Sequence, residues 1–180
     1  PRLDSRVPDE IPGLALQYEV RREIYTANHP PLFYVPTAVP LRVGVATGHP
    51  VLGLLAARLL SVAMTAVAGA AVWWTARVLL PRHPDVAVLA AALTLLLPAV
   101  PRFAGVVYND GFSMAVAALA VLAGTRALVL GPSARRVAAV AAAAAALTLT
   151  RAVGIPASLL VAGTLALAVL VHDPRPTARR

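Results

Sequence analysis

Three groups of residues could do chemistry. Pro8-Asp9-Glu10 places two adjacent carboxylates just ahead of an apolar-faced stretch. A carboxylate held partly desolvated at a lipid-water boundary can act as general base toward an acceptor hydroxyl. The same residues also suit a structural role, Asp9 as a helix N-cap and Glu10 at the positive helix end. Asn109-Asp110 lies between two apolar runs. With Asp9, Asp110 could frame a divalent cation such as Mg or Mn, which takes carboxylate and amide oxygens; before Gly111 and Phe112 it also suits a helix cap. Arg151 separates a short apolar run from a full one. A cation there is costly and faces a cavity or a partner. A lipid phosphate would satisfy it; the structural alternative is an arginine that ends a helix and snorkels to the interface. Arg58, seven residues into its run, poses the same choice, with more weight on snorkelling.

The other polar residues carry less. His29 precedes two prolines and His49 one, so no pair of histidines has zinc-ligand spacing. Trp73, Trp74 and Tyr34 suit an aromatic belt at the membrane interface. No Walker loop, dinucleotide fingerprint or serine nucleophile elbow occurs, which excludes the usual nucleotide chemistry.

The elements that position these residues are membrane elements. The 180 residues are 59% apolar and 13% charged, with a mean hydropathy of +0.75, no Cys, and 16 arginines but no lysine. A water-soluble domain is about 45–50% apolar and about 25% charged. Disorder, a disulfide scaffold and a cysteine-ligated metal are excluded. The net charge of +8 does not indicate nucleic acid, because the arginines sit at the ends of apolar runs and form no polar basic face. The fold class expected is all-α, polytopic and transmembrane, with amphipathic helices beside the membrane.

Composition changes near residue 50. Residues 1–50 hold five arginines and five of the eight acids. They read as an extracytoplasmic loop with two interfacial helices: residues 11–27, apolar around most of their circumference, and a short kinked piece after His29-Pro30-Pro31 that could cap a cavity. Apolar runs follow at 51–80, 86–107 (if residues 101–107 complete it), 112–130, 137–150 and 152–172. A spanning helix needs roughly 20 residues, so the 14 residues of 137–150 cannot cross alone. Residues 173–180 form a tail. The segments around Arg77 and Arg82, Arg126 with Arg135 and Arg136, and the tail hold eight arginines, against two (Arg102 and Arg151) on the alternate side. The positive-inside rule then puts those three segments in the cytoplasm, and residues 1–50, Asp110 and Arg151 outside. The localisation expected is the cell membrane, multi-pass.

The order PDE, NHPPLFY, AARLLS, VYNDG and LTRAVG resembles the amino-terminal part of the polytopic GT-C glycosyltransferases, which include protein O-mannosyltransferases and aminoarabinose transferases. HPPLFY is the most specific piece. The resemblance covers most of residues 8–165. With Pro1 in place of an initiator Met, and no counterpart to the family's first spanning helix or its carboxyl-terminal part, the chain reads as an amino-terminal fragment. The resemblance implies transfer of a sugar from a polyprenyl-phosphate-linked donor to an acceptor on the extracytoplasmic side. It puts the catalytic acid at Asp9 with Glu10 beside it, donor-phosphate binding at Arg151 and Arg58, the acceptor or cavity loop at His29 and Tyr34, and an outer-loop acid, a metal ligand with Asp9, at Asp110. Pro12-Gly13-Leu14 departs from the aromatic or histidine that many relatives carry there, which leaves the acceptor open. Partners are then the lipid donor and the bilayer, without nucleic acid. A transporter also uses broken helices and intramembrane arginine, but no inverted repeat is visible; an inactive membrane fragment is the third reading.

Overall fold

The computed structural model describes residues 31–151 and 154–172. The described residues are all helical: α1 (Tyr34–Ala46), α2 (Pro50–Leu79), α3 (Pro84–Leu96), α4 (Ala99–Ala104), α5 (Asn109–Leu130), α6 (Ala134–Thr150) and α7 (Gly154–His172). The stretch 11–27, expected as an interfacial helix, lies outside them.

Local chemistry explains most of the boundaries. α2 and α3 each open on a proline, whose fixed φ and missing N–H suit a first helical turn. The run expected as one helix over 86–107 is divided, because Leu97 before Pro98 is extended at ψ 126°. α6 starts three residues earlier than the apolar run, since the Ser133 hydroxyl caps it by accepting from the Arg136 N–H at 3.4 Å. Its 17 residues reach about 25 Å, still short of a hydrocarbon core of about 30 Å.

Three helices, α2, α5 and α7, are long and apolar enough to cross a membrane. Their burial pattern is that of a lipid-facing bundle. The packed surfaces are made of small residues, among them Ala57, Ala68, Ala115, Ala120, Ala127 and Ala168, while large aliphatic side chains face outward, Leu160 being 75% exposed. In water such a surface would be prohibitive; in lipid, small residues let backbones approach and the aliphatic ones meet acyl chains. The chain is an all-α protein whose surface suits association with a lipid bilayer.

α2 and α5 form the central pair, with α1 and α3 against α2, and α6 and α7 against α5 and each other. α1 packs antiparallel along the first part of α2 through a close glycine crossing. A Cβ on Gly53 would lie 2.6 Å from the Pro40 carbonyl oxygen, and one on Gly44 2.7 Å from Gly53 Cα. Gly111 of α5 faces Thr65 and Ser61, so the first eleven residues of α2, with α1 alongside, rise roughly 15 Å beyond the start of α5.

Candidate functional site

The start of α5 and the break between α6 and α7 meet at one end of the bundle. α6 ends at Thr150, and Arg151 follows in an extended conformation (φ −157°, ψ 147°). Asn109, 5% exposed, donates from Nδ2 to the Thr150 carbonyl at 2.8 Å. That carbonyl belongs to the last turn of α6, where no helical N–H follows to satisfy it. The Ser113 hydroxyl in turn donates to Asn109 Oδ1 at 3.2 Å, fixing the amide's orientation. This tie sets α5 against α6 and brings the next residue of each, Asp110 and Arg151, into an ion pair between Asp110 Oδ1 and Arg151 Nη1.

The pair sits at a boundary. The Asp110 side chain is 23% exposed and that of Arg151 37%. Asp110 occupies the first turn of α5, where the helix dipole favours a negative charge. It is not the helix cap, a position held by Tyr108. Beside the pair opens a cavity of about 360 Å³, whose walls include Met114, Leu147 and Ala157 and whose polar edge is Asp110, Ser113 and Arg151. One guanidinium nitrogen of Arg151 serves Asp110, and an arginine carries five N–H donors, so donors remain for an anion. Apolar walls with a cationic edge suit an amphiphile with an anionic head.

The HPPLFY stretch reaches the same end through its described part. The Leu32 N–H donates to the Leu149 carbonyl at 3.0 Å. Phe33, buried, packs edge-on against Phe112 of α5 at 6.0 Å and against Tyr34 at 5.2 Å. Tyr34 is therefore half-buried near the start of α5, outside the cavity wall. Arg58 stands elsewhere: it is exposed on the rising part of α2 and takes no part in the wall. Asp9, Glu10 and His29 lie outside the described residues.

Two expectations now bear on each other. Asp110 as metal ligand and Arg151 as phosphate binder fall on one ion pair, and a guanidinium already on the carboxylate opposes a second cation there. Asp85 and Asp110 are the only acids among the described residues, and no group of three His, Cys, Asp or Glu able to hold a metal occurs among them. The described residues alone do not complete a divalent-cation site, and Asp9, the second expected ligand, lies outside them. The sequence reading missed Asn109 as the tie between helix ends, along with Ser113; the available signal was a carboxamide flanked by apolar runs, where a polar group must find a partner.

The chain matches no protein-family model, no curated protein and no solved structure in comparisons with each.

Proposed function

We propose that this chain belongs to a multi-pass membrane glycosyltransferase of the cell membrane, which moves a sugar from a polyprenyl-phosphate carrier to an acceptor on the extracytoplasmic side. The observation that carries the reading is Arg151: an arginine at a helix break, held by Asp110, opening on an apolar cavity sized for part of a lipid. The resemblance of HPPLFY, VYNDG and LTRAVG to the GT-C pattern supplies the chemistry.

In this reaction the acceptor oxygen attacks the anomeric carbon, its proton passes to the Asp9 carboxylate with Glu10 beside it, and the carbon-oxygen bond to the phosphate breaks. Negative charge grows on the departing lipid phosphate. Arg151, oriented by Asp110, offers it charge-assisted hydrogen bonds from a partly desolvated position, where they are stronger than in water. Arg58, exposed on the rising part of α2, serves donor approach.

The test is Arg151→Gln in the intact protein, assayed for turnover of a radiolabelled polyprenyl-phosphate sugar. Loss of one preorganised donor to a developing anion costs about 10²–10³ in rate, and Arg151→Lys should retain part of it. Wild-type rates in Arg151→Gln, or a wild-type protein that neither binds nor turns over the donor, would overturn the reading.

A further inference from the structure

The opposite end of the α5/α6 pair carries a second groove, of about 510 Å³, whose residues the proposed transfer does not use. Its floor is apolar, with Val116, Leu119 and Leu122 from α5 facing Ala139, Ala143 and Ala146 from α6. The alanines fall at spacings of three and four, hence on one helix face, and their short side chains leave the space that a larger residue would fill. One end of the groove is lined by Arg126, Arg135 and Arg136.

These arginines are not equivalent. Arg136 is occupied: its Nη1 donates to the Leu130 and Gly131 carbonyls at 2.8 and 2.7 Å, closing the last turn of α5. Arg126 and Arg135 are exposed and have no hydrogen bond or ion pair among the described residues. Arg135 is moreover in the first turn of α6, where the helix dipole is positive and a cation is disfavoured. Among the described residues, two guanidinium groups without a partner and a helix N-terminus thus converge on the mouth of an apolar groove, and no acid lines it.

We propose that this groove binds an anionic phospholipid, with an acyl chain along the alanine face and the phosphate against Arg126 and Arg135. Charge complementarity selects the headgroup and the apolar floor selects a chain, so a soluble phosphate ester satisfies only half of the site. Basic pockets between membrane helices hold anionic headgroups by the same physics. On the orientation proposed above the site faces the cytoplasmic leaflet, but its chemistry rests on the groove alone and survives failure of the transferase reading.

The experiment is native mass spectrometry of the intact protein, titrated with dioleoyl phosphatidylglycerol or with dioleoyl phosphatidylcholine. Each arginine at a charged lipid surface contributes about a fivefold gain in affinity, so phosphatidylglycerol should bind about 25-fold more tightly than phosphatidylcholine. Arg126→Gln/Arg135→Gln should bring the two lipids within about twofold, whereas Arg82→Gln, on another turn, should keep the preference. Ala139→Leu/Ala143→Leu should weaken phosphatidylglycerol by narrowing the groove, and glycerol phosphate should not compete. Circular dichroism on each variant checks that the helices persist; should the arginine pair unfold together, the single Arg126→Gln variant, at an exposed site, should lower the preference about fivefold. Equal binding of the two lipids by wild type would overturn the proposal. So would an unchanged preference in either arginine variant, competition by glycerol phosphate, or a dimer whose formation displaces the lipid.

Discussion

Asn109 joins two helix ends with one side chain, and its position in the sequence explains why an amide is needed. The Thr150 carbonyl sits at the end of α6 with no helical N–H following it, and the site is too buried for water to substitute freely. An amide donates to that carbonyl while accepting from Ser113; an acid of the same shape would point an oxygen at the carbonyl instead. Asn109→Ala should therefore destabilise the protein by about 1–3 kcal/mol through an unsatisfied buried carbonyl. Asn109→Asp, nearly isosteric, should cost at least as much. Thermal unfolding in detergent, followed by circular dichroism, reads both; two variants as stable as wild type would leave the hydrogen bond without energetic weight.

At the scale of elements, the break after α6 is set by close packing as well as by Arg151. A Cβ on Gly154 would collide with the Leu147 carbonyl oxygen, and the Gly154 N–H donates to the Arg151 carbonyl at 2.8 Å. α7 can start beside the last turn of α6 only with a glycine there. Gly154→Ala should push α7 away from α6 and loosen the Asp110–Arg151 pair, lowering the melting temperature and quickening amide exchange at residues 147–151. Exchange at wild-type rates would show that the break tolerates a Cβ. Arg151 itself could be read from the sequence, because a charge interrupts an apolar run, and α6 ends one residue before it. The division at Pro98 departs from the single run expected over 86–107, although proline chemistry accounts for it, and the short α4 beyond it could not be read either, since residues 99–104 lack a period long enough to distinguish helix from loop. The pairing of Asp110 with Arg151 spans 41 residues and depends on how α5 and α6 register, which no local pattern encodes. Nor could the groove beside Arg135 be read: alanines that face it and alanines that face lipid look alike in a sequence.

For the whole molecule, the distribution of polar groups along the bundle decides what each end does. One end holds the Asp110–Arg151 pair beside an apolar cavity, and the α1–α2 rise with Arg42 and Arg58; the other holds Arg77, Arg82, Arg126, Arg135 and Arg136, and among the described residues no acid lines the groove beside the last three. Cysteine substitution tests the orientation this asymmetry predicts by the positive-inside rule. The chain has no cysteine, so each introduced thiol is the only one it carries. Thr47 and Ser133 are exposed, in the α1–α2 turn and the α5–α6 link, while Ser5 and Thr177 sample the two ends of the sequence. In intact cells whose outer barrier is permeable to the reagent, an impermeant maleimide should label Ser5→Cys and Thr47→Cys. Ser133→Cys and Thr177→Cys should react only after the membrane is opened. The reverse pattern would place the Asp110–Arg151 pair on the cytoplasmic side, where a donor displayed on the outer face could not reach it, and the arginine groove would then meet the outer leaflet. Labelling of Thr47→Cys and Ser133→Cys from the same side would mean that α2 to α5 cross an even number of times, contrary to a passage of the chain through α3 and α4 between two full spans.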